Sequence, residues 1–312
     1  MTIAIDPNTT TPTAKPFLKW AGGKRQLLDR IDQFLPTALK QGEIERYIEP
    51  FVGSGAVFFH IAAHYSVKEF AIADVNCELV LTYKSLQKDV ESIVSQLLAM
   101  KSKYLSLDEQ GRKDYFFEVR SQFNRKRRSI DFSQYSTTWS DRAAEILFLN
   151  RTCFNGLFRV NSKGEFNVPP GRYKNPKICD PDNLRAVSQL LQRTTIYCGD
   201  FSECETWVDD RTFVYFDPPY RPLNPTSNFT AYSRQAFGDR EQLQLRDFFR
   251  KLDRTGAKLM LSNSDPKNED PDDNFFDTAY QGYRIERVKA NRNINSKGHK
   301  RSAIDEILIV ND

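Results

Sequence analysis

Apolar residues in this chain alternate between short unbroken runs and longer stretches where they recur every three or four positions. The run Thr212-Phe213-Val214-Tyr215-Phe216 is β-branched or aromatic throughout, as in a strand buried on both faces of a sheet. Arg46 to Glu49, Glu69 to Asp74, Thr194 to Gly199 and Lys258 to Ser262 read as further strands. Tyr283 to Ala290 and Ala303 to Val310 read as an antiparallel pair. Helical spacing covers Arg25 to Phe34, Ala56 to His64 and Asp239 to Arg254, the last stopped by Gly256. From about Lys84 this alternation breaks. Val90 to Tyr104, Gly111 to Arg128 and Asp141 to Asn150 read as helices. The ribbon from Arg151 to Tyr173 then predicts a hairpin around Ser162-Lys163-Gly164. The pattern predicts an α/β fold with a mostly parallel sheet. Residues 15–84 and 190–312 form its main domain, and 85–189 form an inserted helical and hairpin domain. The stretch 1–14, rich in Thr and Pro, is expected to be disordered.

Chemistry gathers where the strands end. After Phe216 comes Asp217-Pro218-Pro219-Tyr220, and the prolines stop the strand because they supply no ladder N–H. Ligands of open α/β sheets bind at the carboxyl ends of strands. Asp217 and the Pro218 carbonyl could each accept one hydrogen of an aromatic amine. That frees the nitrogen lone pair from the ring, while Tyr220 stacks on the base. A plain Pro-Pro turn with Asp as its turn residue is the alternative.

A second constellation lies upstream. Phe17-Leu18-Lys19-Trp20-Ala21-Gly22-Gly23-Lys24 places glycines and a lysine before a helix, suited to a carboxylate or phosphate. Strand, Gly53-Ser54-Gly55 turn and helix follow. Asp74 comes 19 positions after Gly55, a spacing suited to ribose hydroxyls. The third glycine of a dinucleotide fingerprint is missing, which disfavours a nicotinamide oxidoreductase. A nucleoside without phosphates fits better, and S-adenosylmethionine is one, with Lys24 at its carboxylate. Asp200 and Phe201 end another strand, Phe201 placed to flank an adenine ring.

Composition narrows the classes. The 312 residues are 39% hydrophobic, and no run has the length of a membrane span. The net charge of +4 is unevenly spread: Lys84 to Arg185 holds 19 Lys and Arg against 12 Asp and Glu, the rest 26 against 29. The middle third therefore suits a polyanion. Its ribbon, with Phe154, Asn155, Leu157, Arg159 and Asn161, suits a DNA groove. Five scattered cysteines without CxxC spacing, and three histidines, give no zinc pattern. They read as reduced, mostly buried thiols of a cytosolic protein.

Assembled in order, FLKWAGGK, EPFVGSG, NGLFRVNSKGEFNVPPGRY, GDF, DPPY and SNSD resemble the Dam-type (D12 class, group alpha) DNA adenine-N6 methyltransferases, over nearly the whole chain. The resemblance implies a class I S-adenosylmethionine-dependent methyltransferase fold, Rossmann-like, with seven strands of which one is antiparallel. It makes 85–189 a target-recognition domain. It assigns Trp20, Lys24, Asp74 and Asp217 to the cofactor, with Asp200 and Phe201 around the cofactor's adenine. Asp217, Pro218 and Tyr220 become the base-activating group. Lys19, Leu157, Arg159, Pro169 and Tyr173 match positions that read base pairs in GATC-specific members. Phe154 and Asn155 match positions that engage the space left by a flipped adenine. The chain departs from relatives in having Phe154 for Tyr and Pro170 for Phe. The implied partner is duplex DNA in the cytoplasm and nucleoid, with no metal, membrane or obligate protein partner and with a cognate restriction endonuclease as an option. A cytosine-N4 methyltransferase, and a non-catalytic DNA-binding regulator on the same fold, are the alternatives.

Overall fold

The computed structural model describes residues 13–20, 22–222, 237–290 and 304–312. Nearly all of the expected disordered N-terminus, most of the loop after Tyr220 and the basic linker before the last strand lie outside them. The chain divides into two compact units. One holds the residues up to Lys19, Leu81–Gly156 and Pro169–Gln192; the other holds Trp20–Val80, Leu157–Val168 and Arg193–Asp312.

The second unit is built on β1 (Arg46–Glu49), β2 (Glu69–Asp74), β3 (Thr194–Cys198), β4 (Thr212–Phe216), β5 (Lys258–Ser264), β6 (Arg284–Ala290) and β7 (Ile304–Val310). Their order is β3-β2-β1-β4-β5-β7-β6. Strands β1 to β5 are parallel, and β7 lies antiparallel between β5 and β6. This is the sheet predicted above. All of β4 is buried, as its apolar run requires. The order reverses between β1 and β4, which opens a crevice at their carboxyl ends. The Gly53–Gly55 turn and Asp217 both follow those strands.

Helices α1 (Leu28–Gln33), α2 (Thr37–Lys40), α3 (Ala56–His64), α9 (Asp239–Asp253) and α10 (Phe275–Ala279) belong to the same unit. Phe248, Phe249 and Leu252 of α9 pack with Val214, Phe216, Leu259 and Leu261 of the sheet. The helix predicted over Arg25 to Phe34 is divided, a 3-10 turn at Lys24–Gln26 preceding α1. The predicted hairpin strands reduce to two isolated antiparallel bridges, Val160 with Phe166 near the turn and Cys153 with Pro170 at the base of the ribbon. Asn161 closes that turn: its Oδ1 accepts from the N–H groups of Lys163 and Glu165 at 3.0 Å each.

Helix α4 (Cys77–Lys88) has its first turn in the sheet unit and its remainder in the helical unit, with α5 (Val90–Ser106), α6 (Glu109–Lys126), α7 (Thr138–Thr152) and α8 (Pro181–Leu191). Asp89 and Asp108 cap α5 and α6, accepting from Ser92 N (3.2 Å) and Gly111 N (2.8 Å). The core forms around α7, where Phe148 meets Tyr104 and Tyr115 edge-on. Arg142 of α7 is fully buried over the Phe123 ring.

One expectation fails. Cys77 and Cys198 form a disulfide, with Cα atoms 5.6 Å apart. The parallel register sets Asp74 beside Cys198, so the turn that leaves β2 brings Cys77 over the end of β3. Spacing along the chain, 121 residues, gave no sign of it. Cys153, Cys179 and Cys204 are free and buried.

Candidate active site

Lys24 is the centre of the sheet unit's site. The loop after Trp20 turns back on itself, Gly23 N donating to the Trp20 carbonyl at 3.3 Å, and delivers Lys24 into the interior, 3% exposed. Nζ lies 2.8 Å from Asp217 Oδ1 and 3.3 Å from Glu306 Oε2. It also donates to the Tyr220 hydroxyl and stands 4.4 Å from that ring's centroid. Burial pulls the ammonium's pKa down, but Asp217, Tyr220 and Glu306 outweigh it and hold it well above the usual lysine range.

Asp217 follows β4 and is fixed through one oxygen. Ser262 Oγ, on the neighbouring β5, donates to Oδ1 at 3.1 Å and lies 2.9 Å from the Tyr215 hydroxyl. Oδ2 has no hydrogen-bond partner among the described residues. Burial pushes the carboxyl's pKa up, while Lys24 and Ser262 pull it back. Gln242 of α9 donates to the Pro219 carbonyl at 3.0 Å. The Pro218 carbonyl meets no donor among the described residues. An acceptor oxygen on Asp217 and one on Pro218 are thus both open beside Tyr220.

The turns after β1 and β2 form the other half. Gly53 adopts φ +47, and a Cβ there would stand 2.9 Å from Trp20 Cδ1; only glycine lets the backbone pass the indole. Gly53 N donates to Asp74 Oδ2 at 3.2 Å, and Asn76 N to Oδ1 at 2.9 Å. Burial nevertheless pushes the Asp74 carboxyl up to about 6. Gly55, at φ +71, opens α3. Asp200 caps the 3-10 turn Phe201–Trp207 through Oδ1, and Phe201 stacks on Phe51 with centroids 5.6 Å apart. Trp20, Lys24, Gly53, Gly55, Asp74, Asp200, Phe201, Asp217, Pro218 and Tyr220 therefore all belong to one unit.

The residues expected to contact DNA fall into both units. In the sheet unit are Leu157, Arg159 and Asn161. Arg159 Nε donates to Asn167 Oδ1 at 2.7 Å across the ribbon, and Phe158 stacks on Trp20 at 5.7 Å. In the helical unit are Lys19, Phe154, Asn155, Pro169 and Tyr173. Asn150 clamps Lys19 by its backbone, accepting from Lys19 N at 2.9 Å and donating to Lys19 O at 2.8 Å. Lys19 Nζ stands 4.6 Å from the Tyr173 centroid. Phe154 N donates to the Pro169 carbonyl at 2.9 Å, yet the Phe154 side chain is 51% exposed. Asn155 holds φ 54, the only positive φ outside glycine among the described residues. A strained polar residue beside an exposed aromatic ring is a frequent mark of a functional surface.

Sequence reasoning passed over Ser262, Gln242 and Glu306, and gave no role to Glu49. Tyr47 donates to Glu49 Oε2 at 2.6 Å, and burial drives the Glu49 carboxyl well above its usual range. Glu306 carried one readable signal. An antiparallel strand starts at the edge where its parallel neighbours end, so an acid at the start of β7 faces the site.

A family model described as D12 class N6 adenine-specific DNA methyltransferase matches residues 20–294. The chain belongs to that family. It is 51% identical over 298 residues to the type II methyltransferase M.MjaIII of Methanocaldococcus jannaschii, covering 95% of this chain and 99% of that one. It is 38% identical over 299 residues to the type II methyltransferase M1.LlaDCHI of Lactococcus lactis subsp. cremoris, covering 95% of each. To the DNA adenine methylase of Escherichia coli (strain K12) it is 32% identical over 294 residues, 94% of each. The D12-class assignment selects adenine over cytosine and an enzyme over a non-catalytic regulator. The α/β sheet is the class I methyltransferase fold of this family. No helix of the described residues is long and apolar enough to cross a membrane.

Proposed function

We propose that this D12-class enzyme methylates the N6 amine of an adenine flipped out of duplex DNA, within GATC, with S-adenosylmethionine as donor. The observation that carries the reading is Asp217: Lys24 and Ser262 hold one carboxylate oxygen, while the other, like the carbonyl of Pro218 next in the chain, has no hydrogen-bond partner among the described residues. Two acceptors in fixed positions can take both hydrogens of an exocyclic amine. They draw the nitrogen toward tetrahedral geometry and expose its lone pair. Tyr220, on the same turn, offers a stacking face that offsets the few kcal/mol lost on unstacking the base.

The residues present fit the donor molecule. Gly53 allows close backbone approach, Asp74 presents a carboxylate for ribose hydroxyls, Phe201 offers an aromatic wall, and Lys24, whose charge is already shared between Asp217 and Glu306, holds those two carboxylates in place. Glu306 Oε2 is buried with no hydrogen-bond partner and so has acceptor capacity unspent for a donor such as an ammonium. When bound, S-adenosylmethionine would supply a methyl group on a sulfonium leaving group.

Residues 85–189 serve target recognition in this reading. Arg159 reads a guanine, and Lys19, Leu157, Pro169 and Tyr173 contact the site's other bases. Phe154 and Asn155 enter the space the adenine leaves. The relatives named DNA adenine methylase support GATC, and those named type II methyltransferase support a cognate nuclease. The enzyme acts on cytoplasmic, nucleoid DNA. The test is expression in a host lacking adenine methylation, with modified bases mapped across its genome. GATC adenines carry the mark with the unaltered chain. The Asp217→Ala variant is expected to lose about 10²–10³-fold in turnover on duplex DNA. Unmethylated GATC, or an Asp217→Ala variant with full turnover, overturns the proposal.

A further inference from the structure

Glu306 has so far been given only an unspent acceptor oxygen near the donor's ammonium, and no part in the methyl transfer. It pairs in register with Ser264 of β5, at the edge where the parallel strands end. Its side chain is 13% exposed and faces Lys24 at 3.3 Å. The two form an ion pair without hydrogen-bond alignment, and Oε2 remains a buried, unsatisfied acceptor.

Lys24 thus brings one positive charge to two carboxylates, Asp217 and Glu306. The other titratable groups facing this cluster are held toward their neutral forms. Burial drives Glu49 toward its protonated form and holds the Tyr47, Tyr215 and Tyr220 hydroxyls protonated. One negative charge is left over where water is scarce, and such a charge is costly without a counter-ion.

We propose that Glu306 sets a charge preference in the cofactor site, favouring the positively charged sulfonium donor over its neutral thioether product. The inference rests on S-adenosylmethionine being the donor. That molecule carries a sulfonium, an ammonium and a carboxylate, a net charge of +1. As the methyl group leaves, sulfur keeps the electron pair of the broken S–C bond. The positive charge passes to the amine nitrogen, which forms the new N–C bond and then gives up one proton to water. S-adenosylhomocysteine is left with no net charge. Glu306 therefore draws the donor in and holds the spent product weakly. It acts as a specificity-determining residue and need not touch the adenine.

The test is isothermal calorimetry of both ligands with the unaltered protein, Glu306→Gln and Glu306→Asp. The unaltered protein should bind S-adenosylmethionine about tenfold more tightly than S-adenosylhomocysteine. Glu306→Gln should bring that ratio near one, mainly by weakening the donor, and Glu306→Asp should keep a preference. A purely structural role would weaken both ligands alike. Equal affinities in the unaltered protein, or a full preference retained by Glu306→Gln, overturn the inference. If Glu306→Gln does not fold, the unaltered protein's ratio decides alone. Failure of the unaltered protein to bind either ligand overturns the cofactor reading itself.

Discussion

Asp74 shows how one residue is tuned by its surroundings. Burial raises its pKa to about 6, against the pull of the Asn76, Gly53 and Val75 N–H groups. An unfolded aspartate titrates near ~3.9. A carboxyl raised on folding stabilises the native state fully below the unfolded pKa, and that contribution is lost as pH rises through about 6. Ionised Asp74 at neutral pH is therefore a cost to stability, one that the proposed ribose contact accounts for. On the proposed reading, cofactor affinity falls as Asp74 takes up its proton. Calorimetry should find S-adenosylmethionine bound about tenfold more weakly at pH 5 than at pH 7. Asp74→Asn should bind weakly and with little pH dependence. A wild-type affinity flat from pH 5 to 7 would remove Asp74 from the ribose.

At the scale of elements, the turn after β1 depends on one backbone conformation. Gly53→Ala sets a methyl group 2.9 Å from Trp20 Cδ1 at φ +47. Thermal or urea unfolding should show a loss of roughly 1–3 kcal/mol, with weaker cofactor binding because the indole must shift. Unchanged unfolding would mean that the turn yields freely. This turn was legible in advance: α3 has the bounds predicted for it, and β2 ends at the expected aspartate, because glycines and an apolar run mark both. Helix α4 was not legible. Its apolar residues Leu79, Val80 and Leu81 are consecutive, with Tyr83 and Leu86 beyond, so no single face declares itself. Helix α8 was readable and passed over, with Pro181 at its first position and Leu184, Val187 and Leu191 at helical spacing. The strained Asn155 lay beyond any local pattern. Its φ follows from Phe154 and Gly171 being tied to Pro169 and Thr152, contacts made only once the chain has folded. The same holds for Lys24: the sequence marked it as a ligand contact, but its ion pair with Glu306 spans most of the chain.

On the scale of the whole molecule, the sheet is assembled from segments on either side of a long excursion. β2 and β3 are hydrogen-bonded neighbours, although the chain between them passes through the helical unit. Closing so long a loop costs entropy that grows only slowly with its length, which is how a sheet tolerates an insert of this size. The Cys77–Cys198 disulfide closes the same loop covalently, joining Cys198 to the residue three positions after its register partner Asp74. Such a cross-link removes conformations from the unfolded chain and typically adds about 2–4 kcal/mol. Reduction, or Cys198→Ser, should therefore lower the melting temperature by roughly 3–6 °C. Alkylation of the unfolded protein supplies the control. Without reductant only Cys153, Cys179 and Cys204 should be labelled, and with reductant all five cysteines. The three free thiols are buried in the native state, so Cys179→Ser should leave the response to reductant in place. Equal melting with and without reductant, together with five labelled cysteines in both, would mean that β2 and β3 hold together through their ladder and packing alone.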